Sequence, residues 1–297
     1  MFNKYTEVHP WKIIERRWDP NNHPKSESLF SIGNGRMGQR ANFEETYTGK
    51  SLQGSYIAGV YYPDKTRVGW WKNGYPEYFA KVLNAPNWIG INVSINGEAL
   101  DVFKCKKIEN FRRELNMKEG WLSRSFKATL QNSIEIEVES KRFLSIDFDE
   151  VGAIEYKVKL LNSDAQINIS PYLDNGITNE DSNWDDKFWD VLSVNHEDNQ
   201  AFIVSRTMKT HFYVCTSMCS QIAINGNVLN QEKEISERIN YIEFQYKNQV
   251  KKGDTISLTK FGGYTTDRNH DKNDFILNNK AKLLYHLQNT FSSCLCF

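Results

Sequence analysis

The sequence predicts an all-β fold of antiparallel sheets closed into a sandwich or barrel. Three observations carry this. Segment after segment alternates polar with apolar residues at period two, the mark of strands with one buried face. Tight-turn signals separate these segments at short intervals. Aromatic residues, which favour strands, make up 13% of the chain, with 8 Trp and 14 Tyr.

Taken in order, residues 1–30 hold Trp11 and Trp18 among charges, with Pro10, Pro20 and Pro24. Three prolines argue against a helix, so an irregular or edge-strand segment is expected. Next, Gly33, Gly35 and Gly38 crowd together, and Asn34-Gly35 signals strand, tight turn, strand. Ser55 to Tyr62 is an apolar, aromatic strand that Pro63-Asp64 should close as a turn. Trp88 to Ile95 alternates, and Asn96-Gly97-Glu98 makes a hairpin turn into Leu100 to Phe103. Further strands are read at Trp121 to Leu130, Ser133 to Phe143, Gly152 to Leu161, Gln166 to Tyr172 and Phe188 to Val194. They continue at Gln200 to Ser205, His211 to Thr216, Ser220 to Ile224, Ile239 to Tyr246 and Asp254 to Phe261. Ile134-Glu135-Ile136-Glu137-Val138-Glu139 is the clearest alternation. The tail differs: Phe275, Ile276, Leu277, Ala281, Leu283, Leu284 and Leu287 follow helical spacing over Asp274 to Gln288.

The chain has 297 residues, 39% hydrophobic and 25% charged, an ordinary globular composition. Its 37 basic and 37 acidic residues cancel. The excess positive charge that drives nucleic-acid binding is thus missing over the whole chain. No apolar run approaches the roughly 18 residues of a membrane span. The N-terminus lacks the apolar core of a secretory signal. These features give an expectation of a soluble, cytoplasmic chain with neither nucleic-acid nor membrane partner. Of the five cysteines, Cys215 and Cys219 share one strand face, with His211 the only close further ligand. Two ligands and a histidine do not complete a metal site, so buried free thiols and no metal are expected.

Four segments carry a family resemblance. Glu27-Ser28-Leu29-Phe30-Ser31-Ile32-Gly33-Asn34-Gly35, with Gly38, Arg40 and Asn42-Phe43-Glu44-Glu45, resembles the opening motif of glycoside hydrolase family 65. Ala41 stands where that motif has glycine, and Arg36 where it has an aromatic. Gly54-Ser55-Tyr56-Ile57-Ala58-Gly59-Val60-Tyr61, Ala85-Pro86-Asn87-Trp88 and Lys260-Phe261-Gly262-Gly263-Tyr264-Thr265-Thr266-Asp267-Arg268 follow in the family's order. The resemblance implies an N-terminal, galactose mutarotase-like super-β-sandwich at 1–268, then a linker helix and tail at 269–297. It also implies that the catalytic (α/α)6 barrel, its general acid and its phosphate-binding residues have no counterpart here. The expected function is that of a non-catalytic domain of a maltose phosphorylase-like disaccharide phosphorylase or hydrolase. It would wall one side of the active site and support dimerisation. Inorganic phosphate would be a co-substrate, with no cofactor. A truncated or frameshifted gene product, or an excised domain, is the expected origin of the ending. The alternatives are a free-standing carbohydrate-binding module and an inactive fragment.

The candidate substrate or barrel-contact residues are Asn34, Arg36, Arg40, Tyr56, Trp70 and Trp71. Guanidinium forks suit sugar hydroxyls and carboxylates. Arg40 has an internal alternative in Glu44 or Glu45. Trp70-Trp71, with Tyr75 and Tyr78, falls in a Gly/Pro-rich loop, and a domain interface is the preferred reading. Glycoside hydrolysis uses two carboxylates across the scissile bond. Glu44 and Glu45, adjacent on a strand, should point to opposite faces and serve as structural ion pairs instead. Trp184 and Trp189 sit among Asp181, Asp185, Asp186 and Asp190, read as solvated loop charge because calcium-loop spacing is missing. Gly262-Gly263-Tyr264 lacks the Gly-Lys-Ser/Thr ending of a phosphate loop.

Overall fold

The computed structural model describes residues 6–66, 74–179, 187–271, 274 and 283. Antiparallel strands dominate them. An 11-stranded sheet runs in the order Glu7–His9, Lys12–Glu15, Lys107–Asn116, Trp121–Thr129, Glu135–Leu144, Val151–Leu160, Thr255–Thr266, Tyr213–Ile224, Gln200–Thr207, Trp189–Glu197. Asn227–Val228 pairs beside Tyr213–Ile224. A five-stranded sheet is ordered Glu234–Arg238, Tyr241–Val250, Ala165–Asp174, Ile91–Ile95, Glu98–Ala99. Its inward Ile91, Val93, Ile95, Ile167, Ile169, Ile242 and Phe244 share one core with Ile136, Val138, Ile154, Val158, Met218, Ile222 and Leu258 of the large sheet. Two sheets face to face over one apolar layer make the expected sandwich.

Trp88 sits between the sheets because two glycines leave room for its ring. A Cβ on Gly152 would come 2.5 Å from the Trp88 ring, and one on Gly262 2.9 Å from it. A Cβ on Gly263 would come 2.1 Å from the Glu150 carbonyl oxygen. Real Cβ contacts do not go that short, so the glycine pair of the last strand is a packing requirement. Lys260, fully buried on the same strand, donates from Nζ to the Gly90 and Tyr172 carbonyls at 2.8 Å each.

Several expectations are corrected. His23–Leu29 is a helix. Pro24 lies in its first turn, where the missing N–H is not needed and the fixed φ helps. The glycine turn is displaced by one residue: Asn34 N donates to Met37 O, and Gly35 at φ +89° is the first of two central residues, Gly35-Arg36. Pro63-Asp64 lies inside the strand Tyr61–Lys65, which among the described residues pairs only with Tyr78–Val82. An edge tolerates proline because one side of the strand needs no donors. The Asn96-Gly97 turn has φ +50° and +82°, as predicted, but the return strand is short, Glu98–Ala99. The two strands read at His211 to Ile224 are one, Tyr213–Ile224, and Cys215 and Cys219 on it are buried thiols. The tail helix, apart from Asp274 and Leu283, lies outside the described residues, as do Trp70, Trp71, Trp184, Asp181, Asp185 and Asp186. Trp189 is buried, its Nε1 donating to Asn84 O, and Asp190 pairs with Arg206 at 3.0 Å.

Candidate functional site

The opening motif is anchored on an arginine row inside the large sheet. Arg113 and Arg124 are direct cross-strand partners, flanked in register by Glu15 and Ser140, with Arg142 one step away. All of these side chains are buried. Arg124 Nη2 donates to Glu44 at 2.8 Å and the same guanidinium also grips Glu45. Arg142 lies 3.2 Å from Glu44. Phe43 packs 4.1 Å beneath the Arg124 guanidinium and 5.2 Å from that of Arg113. Burial pushes the Glu44 carboxyl up, but Arg142 and Arg124 outweigh it and hold it below its ordinary 4.5.

Glu44 and Glu45 therefore do not point to opposite faces. Residues 41–45 are not a strand, and the chain turns there so that both reach one guanidinium. The structural ion pairing stands; its partners are Arg124 and Arg142, not Arg40. The space beside Glu44, Arg113, Arg124 and Arg142 is about 10 Å³, which admits at most one water and no sugar. Next to it, His23 Nε2 lies 3.1 Å from Glu27, and Arg113 donates to His23 Nδ1 at 3.2 Å. Glu27 also accepts from Asn42, Ser51 and the Leu52 amide. Burial lowers the His23 pKa below 6.5 despite Glu27.

The glycine turn itself emerges at one end of the sandwich. Asn34 Oδ1 accepts from the Arg36 and Met37 amides at 3.0 and 2.8 Å, closing the turn. Its Nδ2 donates across to Ser145 O and Asp149 O at 2.5 and 2.9 Å. Arg36 Nε donates to Asp149 at 3.2 Å, and its carbonyl accepts from the Ala58 amide. Glu150 meets His270 at 2.7 Å, and its carbonyl accepts from Tyr264 N. Arg268 lies against Gly59, where a Cβ would stand 2.9 Å from its Nε, and covers the Phe212 ring at 5.0 Å. Phe212 meets Tyr61 edge-on at 5.4 Å. From Tyr61 the surface continues onto its cross-strand partner Val82 and onto Tyr78, which are 41%, 61% and 50% exposed.

Of the predicted site residues, Asn34 and Arg36 reach this end. Arg40 is internal: Nη2 donates to Pro24 O at 3.2 Å. Its stem and the Tyr56 hydroxyl press on Gly54, where a Cβ would come 2.2 and 2.6 Å from them. Tyr56 is half-buried on the adjoining strand. Asp149, Glu150, Phe212 and His270 escape sequence reasoning, since their partners lie far away in the chain. Arg268 belongs to the last resembling segment and could have been found there. Among the described residues no group of three or more His, Cys, Asp or Glu is placed to hold a metal ion. No described helix is long and apolar enough to cross a membrane.

Comparisons with known proteins give the family of the chain. The family model "Glycosyl hydrolase family 65, N-terminal domain" matches residues 13–295. Maltose phosphorylase of Bacillus subtilis (strain 168) is 40% identical over 283 residues, 94% of this chain and 36% of that protein. Alpha,alpha-trehalose phosphorylase of Thermoanaerobacter brockii is 27% identical over 284 residues, 90% of this chain and 35% of that protein. A solved structure assigned provisionally as a kojibiose phosphorylase from human microbiome superposes with a TM-score of 0.86 at 24% identity, covering 98% of this chain and 37% of that one. The chain thus spans about a third of the length of these relatives. It belongs to glycosyl hydrolase family 65, as that family's N-terminal domain.

Proposed function

We propose that this chain is the non-catalytic N-terminal domain of a cytoplasmic disaccharide phosphorylase of the maltose phosphorylase type. Its stapled glycine turn and the exposed Tyr61, Val82 and Tyr78 surface wall one side of an active site completed by a catalytic barrel. The domain also supports dimerisation, with the sandwich at 1–268 and a linker at 269–297. The reaction needs inorganic phosphate as co-substrate and no cofactor.

The carrying observation is the division of labour in the motif that bears the family likeness. Its carboxylates Glu44 and Glu45 are buried on arginines, away from any sugar-sized space. Its turn holds Arg36 part-exposed and paired with Asp149, and Tyr61, Val82 and Tyr78 are exposed apolar side chains. Acid–base catalysis needs carboxylates that reach a substrate, whereas a wall needs a rigid, partly apolar surface. A likeness of fold does not set function, so the test is direct. Titration calorimetry of the purified chain with maltose, trehalose, kojibiose and nigerose should give no saturable binding, because half the site is elsewhere. Saturable binding of any of these would favour a free-standing carbohydrate-binding module.

A further inference from the structure

A cleft of about 390 Å³ opens where two neighbouring strands part company. Lys12–Glu15 pairs with Lys107–Asn116 only as far as Glu15 opposite Arg113. Immediately beyond, Lys107–Asn116 carries a bulge between Glu109 and Arg112, with Asn110 at φ +52°. A bulge bends its strand and adds twist, so Arg16, Arg17 and Trp18 leave the sheet instead of continuing along it. The gap is floored by Trp18, Val102, Ile108 and Phe111 and rimmed by Arg16, Arg17, Lys106 and Lys107. Trp18 is fixed there by ring contacts with His23, Phe43, Tyr47 and Phe111 at 5.3 to 5.7 Å.

Four cations and no carboxylate line this cleft, in a chain whose charges cancel overall. Arg16 is matched by Glu7, and Lys107 by Glu109 at 2.8 Å. Among the described residues Arg17 and Lys106 have no ion pair, Lys106 donating only to the Ser133 hydroxyl at 3.0 Å. Arg17 and Lys106, two like charges without an ion pair of their own, repel one another, and a bound anion relieves that repulsion. Guanidinium and ammonium groups form charge-assisted hydrogen bonds with phosphate oxygens, the guanidinium in bidentate fashion. The volume lies in the range of small-molecule sites, far below what a polymer needs. An aromatic floor suits the apolar face of a ring.

We propose that this cleft binds a small phosphate monoester, its phosphate held by Arg17 and Lys106 and its body resting against Trp18. Nothing in this proposal rests on the active-site wall described above, which lies on other elements. The test is calorimetric titration of the full chain at low salt with glucose 1-phosphate, inorganic phosphate and neutral glucose. Glucose 1-phosphate should bind saturably and glucose should not. Weaker binding of inorganic phosphate identifies a phosphorylated ring compound as the occupant, and equal binding identifies free phosphate, the same chemistry from another source. The double variant Arg17→Glu, Lys106→Glu should weaken binding at least about tenfold. Both side chains are exposed, so an unchanged unfolding midpoint verifies that the variant is folded. Arg17→Gln, which alters charge without reversing it, should fall between the two. Absence of saturable binding by either phosphate compound overturns the proposal, as does undiminished binding by the double variant.

Discussion

Replacing Arg124 with leucine removes, among the described residues, the only ion-pair partner of Glu45 and one of the two that hold Glu44. Both carboxylates are buried, so neither gains water in exchange. Breaking one side of a buried ion pair costs about 3–5 kcal/mol, because the charge left behind stays desolvated. Loss of the Arg124 guanidinium over Phe43 adds about 1 kcal/mol. Against a total stability of roughly 5–15 kcal/mol, this is a large share. With a denaturant slope near 3 kcal/mol/M, the urea midpoint should drop by about 1–2 M. The assay is equilibrium urea unfolding followed by tryptophan fluorescence. Glu45→Leu placed in the Arg124→Leu background should cost much less than Glu45→Leu alone, since its charge is then unpaired anyway. Lys127→Ala, on the outward face of the same strand, serves as control and should stay within about 0.5 kcal/mol. If Arg124→Leu lowers stability by no more than that control, the motif is not held by the arginine row and the reasoning fails.

Other predictions follow from the same geometry. Gly152→Ala should destabilise by about 1–3 kcal/mol, because the new methyl meets the Trp88 ring and Leu144, and urea unfolding reads it directly. His23 has a folded pKa below its ordinary 6.5, so the unfolded chain binds more protons and stability is lost as pH falls through about 6.5. Glu27 and Glu44, held below 4.5 in the folded state, contribute stability that is lost further down, as pH falls through and below 4.5. His23→Gln should flatten the slope of the unfolding midpoint just below about pH 6.5 while leaving the lower limb. Tyr61→Ser with Val82→Ser should reduce self-association in light scattering, since it breaks the exposed apolar patch.

Most of the sandwich was legible because a half-buried strand writes its geometry into period-two alternation. Glu135–Leu144 and Val151–Leu160 appear in the sequence almost at their true bounds. Lys107–Asn116 does not, because its inward face carries Arg113, whose counter-charge Glu15 and hydrogen-bond acceptor His23 come from another part of the chain. A buried charge looks like a surface residue until its partner is known. Tyr213–Ile224 looked broken because Thr216, Ser217 and Ser220 are buried along with the apolar positions, the strand being covered on both faces. The helix at His23–Leu29 was hidden by Pro24, which reads as a breaker unless its place in the first turn is known. At the candidate site, Asn34 and Arg36 were visible through their motif. Their partners Ser145 and Asp149 were not, since no local pattern encodes a contact across more than a hundred residues. Arg40, read from the same motif, and Tyr56, read from the second resembling segment, pack inward on Gly54, a position whose lack of a Cβ was the available clue.

The central claim, an accessory domain without catalysis of its own, is tested most directly by turnover. Purified chain is incubated with maltose, trehalose, kojibiose and nigerose, with and without inorganic phosphate, and released monosaccharide and sugar phosphate are followed. No release above the protein-free control is expected. Release that persists through repurification and scales with the chain's concentration would contradict the account, and would require a substrate-accessible carboxylate within these 297 residues.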